Sequence, residues 1–117
     1  GRCGCSLLIL FICDCNSGAI SIFMYLYVIE DTSNGRVKLG YSQDPQARVR
    51  QLQTGNSSSL RLHHHAWVGD RCGILERRLH REFAHHRCSG EWYNIPSDRA
   101  AHYVDYIIIR WLDDPLA

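Results

Sequence analysis

Tyr25-Leu26-Tyr27-Val28-Ile29-Glu30-Asp31-Thr32-Ser33-Asn34-Gly35-Arg36-Val37-Lys38-Leu39-Gly40 is the stretch that decides the fold. Residues 25–30 alternate and are rich in β-formers, which predicts a strand. Asp31 to Gly35 predicts a turn, with Asn34-Gly35 as its strongest element. Residues 36–40 predict the returning strand. Parity then assigns the faces. A hairpin loop with an even number of residues sets odd positions of the first strand beside even positions of the second. Leu26, Val28, Val37 and Leu39 form an apolar face, and Tyr25, Tyr27, Lys38 and Gly40 form a polar one. Tyr27 and Lys38 become diagonal neighbours there, beside a glycine that leaves room above the sheet.

Outward from the hairpin, Asp44 is a good N-cap and Pro45 suits the first helical position. A helix is predicted from Pro45 to Gln53, stopping at Gly55. Arg48, Val49 and Leu52 share one of its faces, which puts an arginine on or beside the inward side. Residues 56–59 read as loop and 60–68 as a third strand, although His63-His64-His65 interrupts the alternation. Asp70 is expected to cap a second helix over residues 71–85. Leu75, Leu79 and Phe83 form its apolar stripe, and Glu76 and His80, four apart, lie at one edge of it. Cys88-Ser89-Gly90 breaks that pattern. Residues 92–95 predict a short extended piece, and Ser97 or Asp98 caps a last helix to Leu112. Ala100, Val104, Ile107, Ile108 and Trp111 supply its core side.

A chain of 117 residues allows one small domain with a tail and no second core of any size. We expect an extension over residues 1–23 and a domain over 24–114. Hydrophobic residues are 45% and charged residues 21%, which excludes a disordered chain. The net charge is only +1, but its distribution says more. From Arg36 to Arg87 there are ten basic residues against four acidic, so a basic middle can attract phosphate while the whole chain stays near neutral. The apolar run at residues 7–13 is too short for a membrane span, which needs about 20 residues. Cys3, Cys5, Cys13 and Cys15 form two C-x-C pairs, with Cys72 and Cys88 elsewhere. They read as reduced thiols, with disulfides or a four-thiolate zinc site as the alternatives.

Tyr27, Lys38, Arg48 and Glu76 stand out, each at the rim of a core face on a different element. A carboxylate can hold a divalent metal, and an arginine can neutralise a phosphate with a forked pair of hydrogen bonds. A tyrosine near a lysine loses its proton more readily and can act as a base. Together these suit phosphodiester hydrolysis, while the bland reading is a solvated rim.

Tyr25-Leu26-Tyr27-Val28-Ile29, then Val37-Lys38-Leu39-Gly40, then Arg48, resembles the GIY-YIG nuclease superfamily. The likeness continues in Leu75-Glu76-Arg77-Arg78-Leu79-His80-Arg81-Glu82-Phe83 and in Gly90-Glu91-Trp92-Tyr93. These segments look like the branch first defined from a large-bacteriophage open reading frame and grouped with the meiotically up-regulated family. The second motif of that branch typically carries Lys where other members have Tyr. The resemblance implies an α+β fold, a small three-stranded antiparallel sheet flanked by helices. It also implies DNA cleavage dependent on Mg²⁺ or Mn²⁺. Carried over, Tyr27 is the base assisted by Lys38, Arg48 stabilises the phosphate, and Glu76 is the metal ligand. Tyr25 and Leu39 depart from the motifs, where the superfamily has Gly and Ile.

His80 is read either as a catalytic residue beside Glu76 or as a hydrogen-bonded core histidine. The His63–His65 and His85–His86 clusters read as surface, because alternate strand residues point to opposite faces. Glu91 and Trp92 are expected to close the core. Arg50, Arg77, Arg78 and Arg81 are the expected DNA contacts; four phosphates would give a log affinity–log salt slope of about −3.6. A non-catalytic nucleic-acid-binding module on the same fold is the alternative. Ile107-Ile108-Ile109 and Trp111 offer a homodimer seam, since the isoleucines cover more than one helix face. So small a catalytic domain is expected to be a module of a larger protein. Its expected place is inside the cell: cytoplasmic in a bacterium or phage-infected cell, nuclear in a eukaryote.

Overall fold

The computed structural model describes residues 23–113. The four cysteines before residue 16, and the extension reading, lie outside the described residues. Cys72 is buried and Cys88 exposed, and neither is in a disulfide. Among the described residues, no helix is long and apolar enough to cross a membrane.

The hairpin forms as its pattern predicts. Strand β1 (Tyr25–Asp31) pairs antiparallel with β2 (Val37–Ser42), and Tyr27 faces Gly40 while Val28 faces Leu39. Asp31 anchors the turn. Its carboxylate accepts from Ser33 N (2.9 Å) and Ser33 Oγ (2.6 Å), which holds the acid below its ordinary range. Helix α1 (Pro45–Gln53) follows, its first turn capped by Asp44 accepting from Ala47 N at 3.1 Å. Gln53 closes the next loop, donating to Ser58 O (2.6 Å) and accepting from Leu60 N (2.8 Å). Strand β3 (Leu60–Trp67) lies on the other side of β1.

Helix α2 (Cys72–Glu82) differs from expectation at both ends. Asp70 does not cap it. The amides of Val68 and Gly69 both donate to Met24 O, pinning the chain into a 3₁₀ turn (Gly69–Arg71) that feeds the helix without a side-chain cap. At the far end Phe83 buries its ring and the chain tightens into a second 3₁₀ turn (Ala84–His86) instead of continuing to His85. Two short strands follow, β4 (Arg87–Ser89) and β5 (Trp92–Tyr93), and helix α3 (Ser97–Asp113) is the last element among the described residues.

The class is α+β, but among the described residues the sheet has five strands and not three, in the order β3-β1-β2-β5-β4, with every pairing antiparallel. The expectation missed the extra hairpin because strands of two and three residues carry too little alternation to register. Helices α2 and α3 cover one face, where Leu26, Val28, Val37, Leu39, Leu75, Leu79, Phe83, Tyr93 and Val104 are buried together. Each such side chain contributes about 1.5–3 kcal/mol on removal from water. The opposite face is less polar than its parity suggests. Tyr27 and Ile29 are buried there with Leu60, under Val49 and Leu52 of α1.

The histidine triplet also breaks the expected alternation. The β1–β3 register shifts between Val28 and Ile29, with Val28 facing His64 and Ile29 facing Leu62. The irregularity turns consecutive side chains to the same side. His63 reaches Asp98 (3.0 Å) and His64 reaches Asp105 (2.8 Å), both on α3. His63 and His64 are therefore half-buried clasps between β3 and α3, and only His65 of the three is exposed.

Candidate active-site cleft

Tyr27 of β1, Lys38 of β2, Arg48 of α1 and Glu76 of α2 line one cleft of about 270 Å³ together with Tyr41, Leu52 and Glu91. Each arrives there for a local reason. Tyr27 and Lys38 point to the same face because Tyr27 pairs with Gly40 and Ile29 with Lys38. Gly40 then makes space for the phenol: a Cβ there would stand 2.5 Å from Tyr27 Oη and 2.8 Å from Cζ. Arg48 sits one turn into α1 on the side that also buries Val49 and Leu52 against the sheet.

Glu76 reaches the same rim because β5 is short. Among the described residues β5 pairs with β2 only at Val37 and Lys38. Past that point α2 takes over the edge of β2, and His80, one turn after Glu76, bonds through Nε2 to Leu39 O (3.0 Å).

Glu91 is the residue whose role the sequence reading missed. Gly90, at φ +55°, turns the chain between β4 and β5. The next residue gives its carbonyl to Leu39 N (3.2 Å) and its carboxylate to Lys38 Nζ (3.4 Å). Glu91 therefore belongs to the cleft instead of closing the core. Its place in the Gly90-Glu91-Trp92-Tyr93 segment was the available signal. Trp92 is half-buried on the α1 side of the sheet, with Lys38 Nζ 5.8 Å from its ring centroid.

The ligand atoms of Glu76, His80 and Glu91 all lie within 4.8 Å of one another. Burial, and then the neighbouring Glu91 carboxylate, push the acid of Glu76 up to about 7, against a partial pull from Lys38 and Arg77. Two half-buried carboxylates and an imidazole at this separation form a donor set for a divalent cation.

The remaining arginines stay outside the cleft. Arg50, Arg77 and Arg81 are exposed. Arg78 is half-buried, with its guanidinium 4.6 Å from the Trp111 ring centroid, where it packs α2 onto α3.

No curated protein and no solved structure matches this chain. A family model does, over residues 24–112, a stretch that runs from one residue before β1 to one residue short of the end of α3. Through that match the chain belongs to the T5orf172 domain family.

Proposed function

We propose that this chain is a divalent-metal-dependent endonuclease of the GIY-YIG type that hydrolyses DNA phosphodiester bonds. The observation that carries the reading is the meeting of Tyr27, Lys38, Arg48 and Glu76, from four separate elements, in one cleft. Membership of the T5orf172 family supports the coarser part of this reading, a phage-type domain related to nucleases or DNA binding.

The roles follow from the chemistry of the four groups. Tyr27 takes a proton from the attacking water, and Lys38, diagonal to it across the hairpin, supplies compensating positive charge. The buried position of Tyr27 excludes competing solvent from its ring. Arg48 offers a guanidinium to the non-bridging oxygens as charge builds on the phosphate. Glu76 would hold a divalent cation, Mg²⁺ or Mn²⁺, and the crowding of its carboxylate against Glu91 suits a dication. When bound, that ion supplies Lewis-acid stabilisation of the phosphate and of the departing oxygen. Arg50, Arg77 and Arg81, all exposed, would contact the DNA backbone outside the cleft.

Supercoiled plasmid incubated with the chain, with Mg²⁺ or Mn²⁺ or with chelator, tests the reading. Metal-dependent nicking is expected, lowered about 100-fold or more by Arg48→Ala and by Glu76→Ala. Undiminished cleavage by Glu76→Ala would overturn it. DNA binding without nicking in either metal would assign the fold to a non-catalytic binding module instead.

A further inference from the structure

Leu39 is one backbone residue with two clients. Its N–H donates to Glu91 O (3.2 Å), and its carbonyl meets Nε2 of His80 (3.0 Å). The first bond fixes the residue that carries the Glu91 carboxylate; the second fixes the His80 ring. A carbonyl only accepts, so the ring nitrogen facing it bears the proton, and neutral imidazole then keeps its lone pair on Nδ1. A histidine whose second nitrogen is held by a backbone carbonyl is oriented as metal-ligating histidines are. Glu76, one turn earlier on α2, completes a group whose ligand atoms lie within 4.8 Å of one another, all three residues half-buried. Lys38 supplies counter-charge to this group, through its 3.4 Å contact with Glu91.

We propose that Glu91 and His80 ligate the cation alongside Glu76, and that this set takes a transition ion of the Mn²⁺ class in preference to Mg²⁺. The inference rests on the nuclease reading and names the ion-holding residues of that same cleft. Carboxylates alone serve either ion. An imidazole nitrogen is a softer donor, which Mg²⁺ accepts poorly and first-row transition ions accept well. The Lys38–Glu91 pair adds a signature of its own: the ammonium and the ion compete for one carboxylate.

Titration of the full chain with Mn²⁺ alone, without DNA, tests this, with free Mn²⁺ read from its electron paramagnetic resonance signal. Glu91→Gln is expected to weaken binding by about 10-fold or more, within the range seen when metal-site residues are lost. Lys38→Met is expected to tighten binding several-fold in the parent chain and to lose that effect in the Glu91→Gln background. His80→Asn is expected to narrow the preference for Mn²⁺ when Mg²⁺ is added as competitor. Should a variant fail to fold, the unmutated chain still decides: the electron spin-echo modulation of its bound Mn²⁺ should show a directly coordinated imidazole nitrogen, which only His80 of the cleft group can supply. Bound Mn²⁺ without a coordinated nitrogen would overturn the proposal. So would Mn²⁺ affinity unchanged by Glu91→Gln and His80→Asn but abolished by Glu76→Gln. That last outcome leaves a one-carboxylate nuclease site standing, whereas absence of nicking would remove the nuclease reading and metal-independent nicking its dependence on a cation.

Discussion

At Gly40 the cleft depends on the absence of a single methyl group. An alanine there would place its Cβ against the phenol of Tyr27, 2.5 Å from the oxygen, in a side chain that is 2% exposed and has little room to retreat. Gly40→Ala is expected to cost about 1–3 kcal/mol by overpacking, read from urea unfolding, and to remove the proposed nicking by displacing the Tyr27 phenol. Glu76 presents the opposite case, a residue whose chemistry works against stability. Its acid is raised to about 7 from an ordinary 4.5, so the native state holds the proton more tightly than the unfolded chain does. Stability in the absence of metal should therefore fall as pH rises from the ordinary carboxylate range to about 7, and level off above. Glu76→Gln should match the parent near pH ~4 and exceed it by about 1–2 kcal/mol near pH ~8, after discounting for solvent at this half-exposed site. Unfolding titrations at the two pH values check the sign. A parent chain more stable than the variant at the higher pH would contradict the burial argument.

Among the elements, the two central helices start by different means. Helix α1 opens on a side-chain cap from Asp44, while α2 is led in by a 3₁₀ turn hung from Met24 O. Asp44→Ala should cost about 1 kcal/mol, and Asp70→Ala, on an exposed residue without a capping role, should stay within about 0.5 kcal/mol. Equal losses in denaturant melts would show that the turn does not replace the cap. The cost at Asp44 also has a functional reach, because α1 is the carrier of Arg48. The short β5 matters in a similar way. By ending after two residues it leaves the edge of β2 open to α2, and through that opening Glu76 and His80 reach the strand carrying Lys38.

For the whole molecule, charge and apolar surface decide what it meets. Of the four arginines expected to contact DNA, Arg50, Arg77 and Arg81 are exposed, whereas Arg78 lies over Trp111. The slope of log affinity against log salt should be about −2.7 for three contacts instead of about −3.6 for four. Arg78→Ala should leave that slope unchanged and lower the melting temperature through lost packing on α3. A slope made shallower by about 0.9 in that variant would return Arg78 to the DNA contacts. The last helix is largely spent inside its own chain. Ile107 and Trp111 are buried in the core, and among the described side chains of α3 the large apolar ones left exposed are Tyr106 and Ile109. Of the isoleucine run, Ile109 is thus the residue exposed for the expected dimer seam.

Local rules sufficed where a few neighbouring residues settle a conformation. The β1–β2 register, the Asp44-Pro45 start of α1 and the Leu75-Leu79-Phe83 stripe all follow from alternation, capping chemistry and helical spacing, which act over a few residues. Tyr27, Lys38, Arg48 and Glu76 could be singled out on the same grounds, because parity and helix faces put each at the rim of a core. Tertiary structure alone decided the rest. The β4–β5 hairpin is too short to declare itself, and it forms by pairing with an edge that another element provides. The segment around Glu91 marks it out, but not its place; it becomes a cleft residue because a hairpin distant in sequence lands beside Lys38. The register shift that turns His63 and His64 together towards α3 arises where β3 fits to β1, and one strand's pattern cannot contain it. Sequence fixes conformation over the reach of a turn, and packing between distant segments fixes which charges end up sharing one half-buried cleft.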